Sequence, residues 1–228
     1  MTPTLLKGTA MNRSCKLPAL ILVLGLSALA RAGEPTDQIK QTTDRILAIV
    51  QDPALKGAEK DDERQGLMKM AVDERFDWAS MARSAIGKFW RDLTEAQRAE
   101  FTGLFSELIK QNYLSRVESY SGEKILYRGD KVDGKYGVAE VTIVTLRGTD
   151  IPVSYRVLTK GEEWLVYDVS VEGVSLVNNY RSQIGSILNS SSYDNLIVKI
   201  KAKIAALEAQ PDGAPAGTAD QPAVKNEL

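Results

Sequence analysis

Four runs of alternating apolar and polar residues follow one another between Glu123 and Val171, and they constrain the fold more than any other feature of the chain. Alternation at every second position places the apolar side chains on one face of a strand. The connections between the runs contain Gly134, Gly148 and Gly161, which suit tight hairpin turns. The pattern therefore predicts an antiparallel meander of four strands with one apolar face.

The phase of the alternation predicts which side chains point toward the rest of the core. In the fourth run, Asp168 takes the opposite phase and should face away from any covering helices, which favours a surface or hydrogen-bonding role over that of a general base. The expected inward residues are Ala139, Val141 and Ile143 in the second run, Ile151, Val153, Tyr155 and Val157 in the third, and Leu165, Tyr167, Val169 and Val171 in the fourth.

Amphipathic segments before and after the predicted sheet are the material available to cover its apolar face. Apolar stripes at helical spacing run from Thr36 to Val50 and from Lys60 to Arg75. A long helix should follow Thr94, which has the spacing of a capping box with Gln97. Asp77 suits the N-cap of a short helix before it, and two more helices should follow the sheet. These elements predict an α+β fold in which a four-stranded antiparallel sheet packs against helices.

The two ends of the chain differ in composition from this central part. Residues 1–32 have the form of a secretory signal peptide, with a basic start, an apolar run of about 14 residues and the small-residue site Ala30-Arg31-Ala32. A spanning helix needs about 20 apolar residues, so cleavage after Ala32 and export are predicted instead of a membrane anchor. We expect one folded domain over residues 33–208. The last segment, 209–228, is rich in Pro, Gly and Ala, which predicts a disordered tail.

Composition excludes several kinds of chemistry. The chain has no His, and its one Cys, Cys15, lies in the predicted leader. The commonest general base, a thiol nucleophile, a disulfide and the usual zinc ligands are therefore missing from the predicted mature protein. The leader holds four of the 29 basic residues and none of the 30 acidic ones, so 25 basic residues remain against 30 acidic. This balance argues against nucleic acid as a partner.

Known catalytic and cofactor motifs are also missing from the sequence. No P-loop, dinucleotide fingerprint, nucleophile elbow or metal-ligand spacing occurs in the 228 residues. No catalytic residue, cofactor or metal is therefore predicted.

Short motifs in a consistent order extend over most of the predicted mature chain. They begin with Phe76-Asp77-Trp78, Met81-Ala82-Arg83 and Gln97-Arg98, and continue with Ile151-Pro152-Val153, Val166-Tyr167-Asp168-Val169, Glu172-Gly173-Val174-Ser175-Leu176 and Asn179-Tyr180-Arg181. In this combination the chain resembles the MlaC, or toluene-tolerance, family of periplasmic phospholipid-binding proteins. No single motif would be specific, but the ordered series is.

The resemblance implies a fold and a function. The expected fold is of the nuclear-transport-factor type, in which the sheet and helices enclose a deep apolar cavity for acyl chains. The expected function is that of a soluble periplasmic carrier and not of an enzyme. Members pass phospholipid between an outer-membrane lipoprotein complex and an inner-membrane ABC transporter complex with a substrate-binding ring, which maintains the lipid asymmetry of the outer membrane.

For the cavity itself, small residues of the sheet would leave room and large residues of the helices would form the opposing wall. Three alternatives stay open at this point. The chain could be a carrier of another apolar lipid such as a hopanoid, an enzyme of the same fold that uses an Asp and a Tyr on an apolar substrate, or a protein-interaction module with a filled core. The hypothesised lining residues are Trp78, Met81, Phe101, Phe105, Leu108, Val141, Ile143, Val153, Tyr155, Val169, Tyr180 and Ile184.

Overall fold

A computed structural model describes residues 1–2, 34–209 and 228 of the protein. The predicted cleavage site after Ala32 and nearly all of the predicted C-terminal tail lie outside the described residues. Over residues 34–209, no helix is long and apolar enough to cross a membrane.

Helices and strands follow the predicted order. Four helices precede the sheet, namely α1 (Pro35–Gln51), α2 (Asp61–Arg75), α3 (Trp78–Ile86) and α4 (Glu95–Glu118). The strands are β1 (Lys124–Asp133), β2 (Tyr136–Val144), β3 (Asp150–Lys160), β4 (Glu163–Val171) and β5 (Val174–Ser175), and they are followed by α5 (Leu176–Ser190) and α6 (Tyr193–Glu208). Short 3-10 turns occupy Pro53–Leu55, Ala58–Lys60 and Gly87–Asp92.

The sheet is antiparallel with the order β1-β2-β3-β4-β5, so the α+β class and the meander are confirmed. The prediction of four strands is wrong by one, because β5 has two residues and is too short for alternation to reveal it. Gly134 and Gly161 have φ angles of 58° and 66° in the hairpin turns, which is the left-handed region that glycine adopts without strain.

One face of the sheet, which we call the inner face, is covered by α1. This helix packs across β1, β2 and β4. Ile39 of α1 is buried together with Ala139, Val141, Val153 and Val157 of the sheet. The inward phase predicted for the second and third strands is therefore confirmed. The opposite face is called the outer face.

The predicted phase of the fourth strand is only half right. Val166 pairs with Val157 of β3 and Asp168 pairs with Arg156, so Tyr167 between them has no partner in β3. Before this β-bulge, Trp164 and Val166 are buried in the core, whereas Leu165 lies on the outer face. After it, Val169 points inward as predicted. A bulge inserts one residue and reverses the faces of the strand on one side of it, so the inward assignment of Leu165 and Tyr167 is wrong.

Asp168 lies beside the bulge and is 3% exposed, so its predicted surface position is wrong. Its carboxylate accepts a hydrogen bond from the Ser175 hydroxyl at 2.7 Å and another from the Val177 backbone N–H at 3.2 Å. These donors lie at the start of α5, where backbone N–H groups lack helical partners. The predicted hydrogen-bonding role is therefore correct, and the carboxylate joins α5 to β4.

Asp77 is the N-cap of α3, as predicted. Its carboxylate accepts hydrogen bonds from the Ser80 backbone N–H at 3.1 Å and the Ser80 hydroxyl at 2.6 Å, and it pairs with the Lys160 ammonium at 2.8 Å. Burial alone would raise the pKa of Asp77, but the bonds from Lys160 and Ser80 outweigh it and lower the pKa below 3.8. This carboxylate ties α3 to the end of β3.

Because the pKa of Asp77 is lower in the folded than in the unfolded protein, its stabilising effect is present above pH 4 and is lost as the pH falls below about 4. We expect Asp77→Asn to reduce the free energy of unfolding at pH 6 and to reduce it by less at pH 3. Urea denaturation at both pH values measures this, with Asp62→Asn at an exposed position of α2 as the control. An Asp77→Asn effect of equal size at both pH values would contradict the prediction.

Candidate functional site

The buried apolar side chains form two clusters. The helical cluster is built from α3, α4, α5 and α6, and the sheet cluster from α1, the inner face of β2, β3 and β4, and the first residue of α5. Phe76 and Tyr113 pack against both clusters and therefore lie where the two meet. The space in which a ligand would contact both layers borders these two side chains.

The hypothesised lining residues from the helices lie inside the helical cluster. Phe105 stacks on Phe101 with ring centroids 5.7 Å apart and meets the edge of Tyr180 at 5.5 Å. Trp78 is half-buried at the margin of the cluster and stacks on Phe76 at 5.1 Å. The other members are almost fully enclosed, with exposures of 0% for Met81, Phe101, Phe105, Leu108 and Ile184 and 1% for Tyr180. These side chains offer a ligand almost no surface in this conformation. They form the packed interior of the helical cluster.

One polar pair interrupts the helical cluster. The buried Asn112 side-chain amide donates a hydrogen bond to the Tyr180 hydroxyl at 2.8 Å, which joins α4 to α5. Burial raises the pKa of Tyr180, and the neighbouring Tyr113 adds to the effect. A neutral, hydrogen-bonded hydroxyl is compatible with an apolar surrounding, so this pair positions the two helices without placing a charge in the interior.

The hypothesised lining residues of the sheet differ from one another in exposure. Val141, Val153 and Val169 are buried, with 4%, 4% and 7% exposed. Ile143 and Tyr155 also face inward but are only half-buried. These inward-facing apolar side chains are therefore not completely covered by the neighbouring elements.

A row of isoleucines crosses the first three strands at the end of the sheet. Ile143 of β2 lies opposite Ile125 of β1 and opposite Ile151 of β3. All three are half-buried and pack against the sheet cluster. We call these three residues the isoleucine row. Ile125 was missed by the sequence analysis because its strand is mostly exposed and its alternation is weak.

The second half of α1 lies level with the isoleucine row. The helix begins beside Gly137 of β2, which Pro35 contacts, and passes Tyr127 of β1 at Lys40, whose ammonium lies 5.7 Å from the tyrosine ring. At 1.5 Å per residue, the next two turns of α1 reach the end of the sheet. Ile46 and Leu47 in these turns are also half-buried. Half-buried apolar side chains thus occur both on this part of α1 and in the isoleucine row.

Tyr155 of β3 faces inward and is half-buried. Burial, with a smaller contribution from Tyr127, raises the pKa of Tyr155 to about 12. The hydroxyl therefore stays neutral at physiological pH, which is compatible with an apolar surrounding.

At the other end of α1, a buried arginine fixes the helix to the sheet. Arg75 of α2 is 8% exposed and lies among acceptors from two other elements, α1 and β4. Its guanidinium donates to Thr42 Oγ1 at 3.0 Å, Gln38 Oε1 at 2.7 Å, Glu163 Oε2 at 2.8 Å and the Trp164 carbonyl at 2.9 Å. No local pattern predicts this network, because its members are up to 126 residues apart in pairs such as Gln38 and Trp164.

A polar indentation of about 360 Å³ lies where α1 ends. Arg64 in its wall pairs with Asp61 at 2.7 Å and with Glu118 at 3.2 Å, so its charge is compensated within the protein. Over residues 34–209, the structure contains no group of three or more acidic, His or Cys side chains that would hold a metal ion. The remaining lining residues of the indentation are Val50, Lys56, Gly57 and Ala58.

The fold is that of an α+β protein whose meander sheet carries half-buried apolar side chains on its inner face, beside a cluster of helices. The family model for MlaC protein matches residues 40–202, and the chain therefore belongs to the MlaC family. The family resemblance seen in the sequence is thus confirmed.

Two comparisons with individual proteins agree with this assignment. The chain is 31% identical over 121 residues to the intermembrane phospholipid transport system binding protein MlaC of Haemophilus influenzae, a match that covers 51% of this chain and 56% of that protein. The match thus spans just over half the length of this curated relative. A phospholipid-binding protein from Ralstonia solanacearum, solved in complex with a phospholipid, superposes with a TM-score of 0.69 at 22% identity over 77% of this chain and 99% of that chain. This likeness shows a shared fold.

Proposed function

We propose that this protein is a periplasmic carrier that holds the acyl chains of a phospholipid in the space between its sheet and its helices. The observation that carries the proposal is the isoleucine row, whose inward apolar side chains keep accessible surface in a core that is otherwise closely packed. The family membership and the phospholipid in the structure of the Ralstonia solanacearum protein support it.

The energetics of lipid transfer require such an interior. A diacyl phospholipid has roughly 30 methylene groups, and at about 0.8 kcal/mol each it loses on the order of 24 kcal/mol when it leaves a bilayer for water. An apolar space that accepts the chains makes transfer from the bilayer to the protein nearly neutral. The carrier therefore permits exchange at both membranes, and the partners at each end set the direction.

The residues proposed to line the lipid space are chosen by the exposure of their side chains and by their register in the sheet. Ile143 and Tyr155, together with the rest of the isoleucine row, would contact the acyl chains directly. Val141, Val153 and Val169 would form the floor of the space on the sheet. The buried residues of the helical cluster would hold the opposite wall in place and contact the lipid only at Tyr113 and Phe76, where the two clusters meet.

The proposed route connects the two membranes of the envelope. The carrier would receive or deliver lipid at an outer-membrane lipoprotein complex and at an inner-membrane ABC transporter complex with a substrate-binding ring. Two observations support a periplasmic route, namely the predicted signal peptide at residues 1–32 and the name of the Haemophilus influenzae relative, an intermembrane transport protein.

Native mass spectrometry of the mature protein, purified without detergent, tests the proposal. We expect a bound species whose added mass is that of one phospholipid, and organic extraction of the same sample should identify it. A hopanoid in its place would keep the carrier and change the cargo. A protein that carries no lipid and takes none from phospholipid vesicles would overturn the proposal and favour an enzyme of the same fold.

A further inference from the structure

Two tyrosines on the inner face of the sheet carry hydroxyl groups without a hydrogen-bond partner. Tyr127 of β1 and Tyr155 of β3 are half-buried and pack against the sheet cluster. The Tyr127 hydroxyl oxygen is shielded from solvent and has no partner among the described residues. Within residues 34–209 the Tyr155 hydroxyl also makes no hydrogen bond. A shielded donor without an acceptor is costly, so the positions of these hydroxyls need an explanation.

Thr43 of α1 is the polar side chain beside the Tyr127 hydroxyl. Burial raises the pKa of Tyr127 and outweighs the opposing effect of Thr43, so the phenol stays neutral. The Thr43 hydroxyl donates to the Ile39 carbonyl at 2.9 Å, and the two hydroxyls do not form a hydrogen bond of normal geometry. The Tyr127 donor therefore remains available to an acceptor outside the protein.

The register of the sheet places the two tyrosines in one region of the inner face. Tyr127 pairs with Val141 of β2, and Tyr155 pairs with Ala139, two residues away on the same strand. Because both β2 side chains are small and point inward, the two rings flank a low part of the sheet. The contribution of Tyr127 to the raised pKa of Tyr155 agrees with this closeness. Ile143 follows Val141 at the next inward position of β2, so the region adjoins the isoleucine row.

The charge of this region favours an uncharged acceptor. The Lys40 ammonium lies 5.7 Å from the centre of the Tyr127 ring, but it pairs with Asp44. A phosphate placed here would need a cation that is not already paired, since an unpaired charge is costly to bury. A carbonyl oxygen needs only a donor, and a neutral phenol supplies one.

We propose that the Tyr127 and Tyr155 hydroxyls donate hydrogen bonds to the ester carbonyl oxygens of the bound lipid, where its acyl chains join the glycerol. The inference rests on the proposed carrier function and names the chemical class of its cargo, an acyl ester. A diacyl lipid has one ester carbonyl on each chain, so two donors match two acceptors. The ring skeleton of a hopanoid would leave both hydroxyls without an acceptor.

A competition between two phospholipids tests the inference. The mature protein is incubated with vesicles that contain equal amounts of dioleoyl phosphatidylcholine and its dioleyl diether analogue. The two lipids share the head group and the chain length, but the diether lacks the carbonyl oxygens. Extraction of the separated protein and mass spectrometry then give the ratio of bound ester lipid to bound ether lipid. We expect a ratio of at least about fivefold, because each hydrogen bond contributes a few-fold in affinity.

Phenylalanine variants locate the source of the preference. Tyr127→Phe and Tyr155→Phe each remove one hydroxyl and keep the ring, so each should lower the ratio at least about twofold, and the double variant should bring it close to one. Tyr136→Phe is the matched control on the outer face, where Tyr136 is 49% exposed, and it should keep the full ratio. Because both lipids compete in one sample, a general loss of binding does not imitate a loss of preference.

The outcomes separate this inference from the carrier function. Equal binding of the two lipids by the unmodified protein, or a preference that persists in the double variant, would overturn the inference while the carrier function stands. Binding of neither lipid would overturn the carrier function and the inference with it. An unchanged ratio in Tyr127→Phe with a lower urea midpoint would show that this hydroxyl bonds to Thr43 within the protein, and would overturn its assignment to the cargo.

Discussion

Ile143→Glu is expected to lower the phospholipid that co-purifies with the protein by roughly tenfold or more. Ile143 lies at the centre of the isoleucine row, with Ile125 on one side and Ile151 on the other. A carboxylate there would meet acyl chains, and burying an unpaired charge in an apolar space costs several kcal/mol. Since 1.4 kcal/mol is a factor of ten in affinity, even a partly hydrated carboxylate should displace most of the lipid.

The adjacent residue supplies a matched control. Val144 is also half-buried on β2, but it points to the outer face and lies opposite Lys124 of β1. Val144→Glu introduces the same side chain one position away, where it can pair with the lysine and remain hydrated. We expect it to keep the phospholipid content of the unmodified protein.

A second variant keeps the test valid if Ile143→Glu fails to fold. Ile143→Trp adds volume without charge, so it should fill the proposed space and lower the lipid content while the urea midpoint changes little. Native mass spectrometry with lipid extraction measures both variants. Equal lipid content in Ile143→Glu, Ile143→Trp and Val144→Glu would show that the isoleucine row does not contact the cargo.

Local signals in the sequence predicted the elements well. Thr94 and Gln97 form the predicted capping box, and Asp77 caps α3, because a cap depends on residues only three positions apart. Alternation predicted the inward residues of β2 and β3 for a similar reason, since a regular strand repeats every two residues. Alternation predicted the wrong face for Leu165 and Tyr167 of β4, because an apolar run has no local pattern that indicates the bulge at Tyr167.

The candidate site was harder to predict because large apolar side chains serve equally well in a filled core and in a cavity wall. Phe105 and Ile143 both have inward positions in their elements, but Phe105 is fully enclosed by other aromatic rings and Ile143 keeps accessible surface. This difference depends on which elements meet across the interior and how closely they pack. Amphipathic periodicity specifies the face of each element but not the distance between two faces.

The Arg75 network shows the same limit for polar residues. At the end of an amphipathic helix, an arginine is ordinarily solvated, and nothing near Arg75 in the sequence identifies its acceptors. In the fold, α1 and β4 meet the end of α2 at Arg75, and both provide hydrogen-bond acceptors for its guanidinium. The network fixes the first half of α1, whereas Ile46 and Leu47 in the second half are half-buried. One end of the helix is thus anchored while the other adjoins the proposed lipid space.

Arg75→Met is expected to destabilise the protein by about 3 kcal/mol or more. The substitution preserves much of the apolar stem but leaves the Trp164 carbonyl and the Gln38 side-chain oxygen without their charged donor in a buried setting. Leaving a buried polar group unsatisfied costs about 1–3 kcal/mol, and a hydrogen bond to a charged donor contributes about 1.5–3 kcal/mol. The pair with Glu163 adds little, because that carboxylate side chain is 59% exposed.

Arg45→Met tests whether this effect comes from burial. Arg45 of α1 pairs with Glu74 of α2, but both side chains are largely solvated, with 46% and 62% exposed, so its replacement should cost less than about 1 kcal/mol. Urea denaturation compares the two variants, and with a slope of about 1–3 kcal/mol per M the midpoint of Arg75→Met should fall by about 1 M or more. Similar midpoints for the two variants would mean that Arg75 contributes no more than a surface ion pair, and that α1 is held by its apolar contacts alone.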